Sequence, residues 1–299
     1  MATSIEWTRG DDGSAGEVWN PTTGCDKISP GCGLPRFEGD DTGGCYALAM
    51  AKRLKAMGQA KYQNDGDPRT SGPGFALTVH PDALTVPLKW RQPKRVFVNS
   101  MSDLGHARIP PEFLAQVWAV MASTPQHTYQ ILSKRPHRLS HLLLGAQLNG
   151  FQSAVISHAM RDYGFRGGVE WPLLNVWMGT SIELDRYCPR ADSLRETPAA
   201  VRFLSLEPLL GPLPSLDLTG IGWAIIGGES GGGARALDLG WVRDLIAQCR
   251  ETGTAVFVKQ LGSVLGRQFS AGTHGTDWSR WPEDLRIREF PRAAGQAIA

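Results

Sequence analysis

Seven short apolar runs recur along the chain, each closing on polar residues: Phe75–His80, Arg95–Ser100, Thr128–Ser133, Asn175–Thr180, Val201–Glu207, Trp223–Glu229 and Ala255–Gln260. They are rich in β-branched and aromatic residues and continuous, without alternation, as strands covered on both faces are. Helical patterns separate several of them. Pro111–Met121 sets Phe113, Val117, Val120 and Met121 on one face after a proline start, and Leu239–Cys249 does the same with Val242, Leu245, Ile246 and Cys249 before Gly253. Strand–helix alternation of this kind predicts a parallel α/β sheet. Val18–Gly24, which contains Pro21, is a candidate eighth strand. With eight strands the sheet closes into a (β/α)₈-type TIM barrel and with seven it stays partial; an open doubly wound sheet is the alternative. Asn64–Gly74 and Gly266–Asp277 read as polar loops and Ala293–Ala299 as a loose tail. The reading is one domain, 1–299, with a Cys-rich loop at 25–45 and a C-terminal extension at 262–299.

In a parallel barrel the residues that follow each strand gather at the carboxyl-terminal mouth, where active sites lie. Here those residues are ionisable or amide-bearing: Asn99 and Asp103, Lys134 and Arg135, Ser181 and Glu183, Ser205 and Glu207, Glu229, and Lys259 and Gln260. For any single one, a strand ending in a polar loop explains it; for the whole ring, a ligand site explains it better. Glu207 and Glu229 are the carboxylates to watch, as ligands for an ammonium or ribose hydroxyl or as bases, the alternative being ion pairs with Lys134, Arg135 or Lys259. Gly227–Gly233 contains Glu229 in a glycine-rich turn, without the pattern of a phosphate loop or a dinucleotide fingerprint. The basic cluster Lys134–Arg138 follows its strand and can contact a ligand or nucleic-acid phosphate.

Composition narrows the class. Charged residues make up 20% of 299 and the net charge is +2, which neither demands nor excludes nucleic acid. The first residues lack a signal-peptide pattern and the apolar runs are too short to span a bilayer, so a cytoplasmic protein without a membrane partner is expected. Five cysteines without an export signal argue against a disulfide framework. Cys25, Cys32 and Cys45 fall in glycine-flanked loop sequence, Cys45 opening the helical stretch Tyr46–Met57. Three such thiolates suit an iron–sulfur cluster with one open iron, or zinc with a fourth ligand such as His80 or His106. Cys249 reads as core and Cys188 has no visible partner.

Trp7, Trp19–Cys25, Ser29–Cys32 and Cys45–Ala47, continued by Tyr62–Gly66, Ser133–Pro136, Leu204–Pro208, Gly227–Ser230, Lys259–Gln260 and Trp281–Asp284, resemble the phage-associated three-cysteine proteins, described as radical-SAM-like. The resemblance implies a barrel related to radical S-adenosylmethionine enzymes and a [4Fe–4S] cluster on Cys25, Cys32 and Cys45. It departs from the family pattern in that twelve residues, Gly33–Gly44, separate the second and third cysteines where two are usual. Gly227–Gly–Glu229 also follows a late strand, whereas the superfamily's methionine-binding Gly-Gly-Glu follows an early one.

The expected activity is therefore an iron–sulfur enzyme of radical S-adenosylmethionine type, taking electrons from a donor protein. Ser181, Glu207 and Glu229 are cofactor candidates, and Asn99, Asp103, Lys134, Arg135 and Lys259 are substrate candidates. Two rivals are a zinc hydrolase with Glu207 as base and a non-enzymatic nucleic-acid-binding protein built on a closed Cys₃His site.

Overall fold

The computed structural model describes residues 3–10, 12–40, 43–144 and 148–291; the tail Ala293–Ala299 lies outside them. Among the described residues nine strands form: β1 (Glu17–Trp19), β2 (Thr22–Thr23), β3 (Thr78–Val79), β4 (Arg95–Val98), β5 (Thr128–Ser133), β6 (Val176–Ser181), β7 (Val201–Leu206), β8 (Trp223–Gly227) and β9 (Ala255–Gln260). The helices are α1 (Tyr46–Ala56), α2 (Pro111–Ala122), α3 (Pro136–Leu144), α4 (Leu148–Tyr163), α5 (Pro189–Glu196), α6 (Leu239–Thr252) and α7 (Gly262–Gln268).

Seven strands make one parallel sheet in the order β1-β4-β5-β6-β7-β8-β9, curled into a half-barrel with helices against it. The order follows the chain without a reversal, so the strand-order switch that marks a doubly wound sheet is absent from the described residues. Among the described residues the eight-stranded closure expected as one possibility does not form. Val18 joins the sheet through β1, but of the Phe75–His80 run only Thr78 and Val79 pair, antiparallel with β2 and apart from the main sheet. Phe75 instead buries against Ala47, Ala51 and Met101, so this run covers α1 and adds no barrel strand. The start of the expected Gly266–Asp277 loop is likewise helical, as the end of α7.

The helices begin and end where the chemistry directs. Asp238 caps α6 by accepting the amide of Gly240, and Gly253 ends it in the left-handed region at φ 72°. α2 starts on Pro111 and buries Phe113, Leu114, Val117, Val120 and Met121. The far edge of the sheet is covered by the extension: Val258 donates to the carbonyl of Ile287 and Glu289 to that of Val256, at 2.8 Å each. No helix among the described residues is long and apolar enough to cross a membrane.

Strand alternation divides the sheet into two faces. Val96, Val98, Tyr129, Ile131, Met178 and Leu204 pack outward into the core beneath the helices. Phe97, Trp177, Phe203, Trp223 and Phe257 turn inward, where Trp7 from the N-terminal segment closes an aromatic floor. Gly179 leaves room for that floor, since a Cβ there would come within 2.4 Å of the Phe203 ring.

Candidate functional site

Continuing the inward alternation toward the carboxyl ends of the strands leads from Phe97 to Asn99, from Leu132 to Lys134 and from Trp177 to Ser181. Above the floor these residues line a cavity of about 210 Å³ together with Cys25, Cys32 and Cys45. Asp103 and Arg135 line it as well. Glu207, Glu229 and Lys259 do not, and neither of the proposed fourth ligands, His80 and His106, is among its walls.

Each thiol arrives by a different local device. Cys25 follows Gly24, whose φ is 83° and whose missing Cβ would lie 2.1 Å from the carbonyl oxygen of Ala76. Ser102 donates to the Gly24 carbonyl at 2.6 Å, fixing the turn to the end of β4. Arg135 then clamps the position: one guanidinium nitrogen contacts Cys25 Sγ at 3.3 Å and Asp103 at 2.8 Å, and the other donates to the carbonyl of Asp26 at 3.0 Å. Asp103 also accepts from Ser133 Oγ and from the Gly105 amide. Burial, with the Asp103 charge adding to it, pushes the Cys25 thiol up to about 12 against the pull of Arg135.

Cys32 ends the 3₁₀ turn Pro30–Cys32, and its sulfur is 3.7 Å from Ser29 Oγ. That turn is held from two sides. Glu183, fully buried, accepts the Gly31 amide at 3.2 Å and pairs with Arg190 at 3.0 Å. Burial works to raise the Glu183 carboxyl, but Lys134, Arg190, Ser29 and the Gly31 amide together hold it below the usual carboxylate range. On the other side Glu229 and Arg235 form an ion pair of which each side chain is only 3% exposed. Arg235 meets both Glu229 oxygens, at 2.7 and 2.8 Å, and donates onward to the carbonyls of Pro30 and Leu34. Gly43 passes so close that a Cβ would lie 1.9 Å from Glu229 Oε1. The twelve-residue insertion thus returns to the sheet across the Glu229–Arg235 pair.

Cys45 occupies the N-cap position of α1. Burial raises its thiol, while the amides of Leu48 and Ala47 at the helix start favour the thiolate. All five cysteines are unpaired. Cys249 is buried on α6 as its periodicity predicts, and Cys188 meets Asp185.

The remaining expected residues fall outside the thiol cavity. Glu207 accepts two bonds from Lys259 Nζ, at 2.7 and 2.8 Å, and one from Gln260. Both Glu229 oxygens are engaged by Arg235, so this carboxylate anchors the Cys32 turn. Sequence reasoning did not select Arg190, in the first turn of α5, or Arg235, in the loop beyond β8. Nor did it select Asp26, which accepts from His106, Ser71 and Thr70 next to Cys25. Its adjacency to a cysteine was the available signal. Among the described residues no three His, Cys, Asp or Glu side chains are gathered closely enough to hold a metal ion. The thiols share a cavity without converging on one point.

Residues 2–291 match the family described as "Protein of unknown function (DUF5131)". The chain belongs to that family. No curated protein and no solved structure gives a match.

Proposed function

We infer that this DUF5131 chain is an iron–sulfur enzyme of the radical S-adenosylmethionine type on a partial (β/α)₈-like barrel. The observation that carries the reading is that three unpaired thiols, brought by three separate turns, line one cavity at the carboxyl ends of a curled parallel sheet. A single zinc ion needs its ligands around one point at Zn–S distances of about 2.3 Å. A four-iron cluster takes each thiolate on a different iron, so a spread-out trio suits it better.

The lining also fits a cofactor with polar groups. Asn99 is buried, donates to Thr22 Oγ1 at 2.6 Å, and has an Oδ1 with no partner. An ammonium or ribose hydroxyl would satisfy that acceptor, which is otherwise costly to bury. Cys25, Cys32 and Cys45 would hold the cluster, and Asn99 and Ser181 would orient the cofactor. A [4Fe–4S] cluster with one open iron, bound there, supplies a chelation point for the methionine amino and carboxylate groups and one electron, delivered by a donor protein, for cleavage of the sulfonium bond. This chain's own residues do the positioning. Arg135 holds the Cys25 turn, Glu183 and the Glu229–Arg235 pair hold the Cys32 turn, and the aromatic floor excludes water from below.

Anaerobic purification followed by iron, sulfide and zinc analysis tests the reading. Iron and inorganic sulfide in near-equal amounts, with a brown colour, are expected. Stoichiometric zinc without sulfide would overturn it.

A further inference from the structure

A second cavity, of about 310 Å³, adjoins the thiol cavity and shares Lys134 and Arg135 with it. Its other walls come from the starts of two helices, Pro136 and His137 of α3 and Pro189, Arg190 and Ser193 of α5, with Arg186 and Tyr187 leading into the latter. Four fixed cations therefore face one space. Among the described residues two carboxylates pair with them: Asp103 with Arg135 and Glu183 with Arg190. Arg186 meets no carboxylate among the described residues and gives both terminal nitrogens to one backbone carbonyl, that of Arg36, at 3.2 Å. Lys134 donates through Nζ to no described residue. Tyr187 braces the two arginines of α5's approach, with the Arg190 guanidinium 4.1 Å and that of Arg186 5.3 Å from its ring centre.

We propose that this cavity binds the phosphate monoester of the substrate, in its dianionic form, beside the thiol cavity. Four cations against the two carboxylates leave a net charge of about +2 at this space, which equals that of a monoester, about −2, and exceeds the single charge of a diester. Both helices direct the positive ends of their backbone dipoles at the same space, which adds to the attraction without defining it. The shared Lys134 and Arg135 join the two cavities, so a phosphate held here extends the rest of its molecule toward Cys25 and Asn99. The site rests on charge and placement alone and stands whether the thiols hold iron or not.

The test is calorimetric titration of the full chain, at fixed ionic strength, with inorganic phosphate, ribose 5-phosphate, adenosine 5′-phosphate and dimethyl phosphate. At least one of the two organic monoesters should saturate a single site more tightly than inorganic phosphate, and dimethyl phosphate should bind at least about tenfold more weakly than that ester. Arg186→Gln, an exposed position, and Lys134→Gln should each weaken the preferred monoester about tenfold or more, the usual scale for a lost charge-assisted bond. Arg280→Gln, the same charge change at an exposed arginine outside the cavity, should change it less than twofold. Diester binding equal to monoester binding would point to a nucleic-acid backbone and overturn the proposal. Inorganic phosphate binding more tightly than both esters, losses as large in Arg280→Gln as in Arg186→Gln, or no saturable binding would overturn it too. Because the readout is phosphate and not metal, this result and the iron analysis fail independently.

Discussion

The two halves of the inner face are built by the same strands from alternate residues of the same register, yet they carry opposite chemistry. Toward the amino ends the inward positions include Phe97, Trp177, Phe203, Trp223 and Phe257, closed by Trp7 and joined by Val201 and Ile225, so the contacts are apolar and many are ring on ring. Toward the carboxyl ends the inward positions become polar: Asn99 and Lys259 two residues beyond Phe97 and Phe257, Lys134 two beyond Leu132, and Ser181 and Glu207 four beyond Trp177 and Phe203. The lower half is held by dispersion and exclusion of water, which are insensitive to where any one polar atom points. The upper half is held by directed pairs, each of which depends on a loop returning to one place. A change in the floor should therefore cost folding, and a change in the mouth should cost geometry first.

The largest effect is expected in the floor. Trp223 is fully buried, stands 5.5–6.3 Å from five aromatic rings and donates through its indole nitrogen to the carbonyl of Glu289 at 2.8 Å. Trp223→Ala should destabilise the chain by about 3–5 kcal/mol, read as the shift in a urea unfolding midpoint. A loss below 1 kcal/mol would show that the inner cluster is not the structural half of the sheet.

A smaller and more specific effect is expected where the mouth is anchored. Removing one member of a buried ion pair strands the other charge, so Glu229→Gln should cost about 3 kcal/mol. The double variant Glu229→Gln with Arg235→Met removes both charges and should recover most of that stability. It should not recover the Cys32 turn, because Arg235 also holds the carbonyls of Pro30 and Leu34. Cys32 should therefore be alkylated faster than in the parent chain by a thiol reagent even where stability is restored. Unchanged reactivity in the double variant would show that the pair stabilises the sheet end without positioning the thiol.

The same contrast explains what could be read in advance. β5 and β9 span Thr128–Ser133 and Ala255–Gln260, as their apolar runs predict, because burial on both faces leaves its mark on every residue of a strand. Phe75–His80 carries a similar mark for a different reason: Phe75 is buried against α1, and local pattern does not say which neighbour does the burying. The mouth residues were legible one by one, since each follows a strand, and eight of the eleven selected residues line the thiol cavity, all but Glu207, Glu229 and Lys259. Their partners were not. Arg235 belongs to no motif, Arg186 and Arg190 lie in no basic run, and Glu183 gains its role only when the Cys32 turn folds back over β6. Pairing across loops is a property of the returning chain, which periodicity does not encode.

On the proposed function, Cys25, Cys32 and Cys45 form one ligand set from which Cys249 is excluded. Absorbance near 400 nm, with iron content, in single alanine variants of these four cysteines after anaerobic reconstitution tests it most directly. Cys25→Ala, Cys32→Ala and Cys45→Ala should each lose most of the colour and iron, since two thiolates hold a four-iron cluster poorly. Cys249→Ala should keep both and lose only packing, on the order of 1 kcal/mol. The decisive member is Cys45, which reaches the cavity across the twelve-residue insertion: full iron and colour in Cys45→Ala would show that the three thiols are not one ligand set.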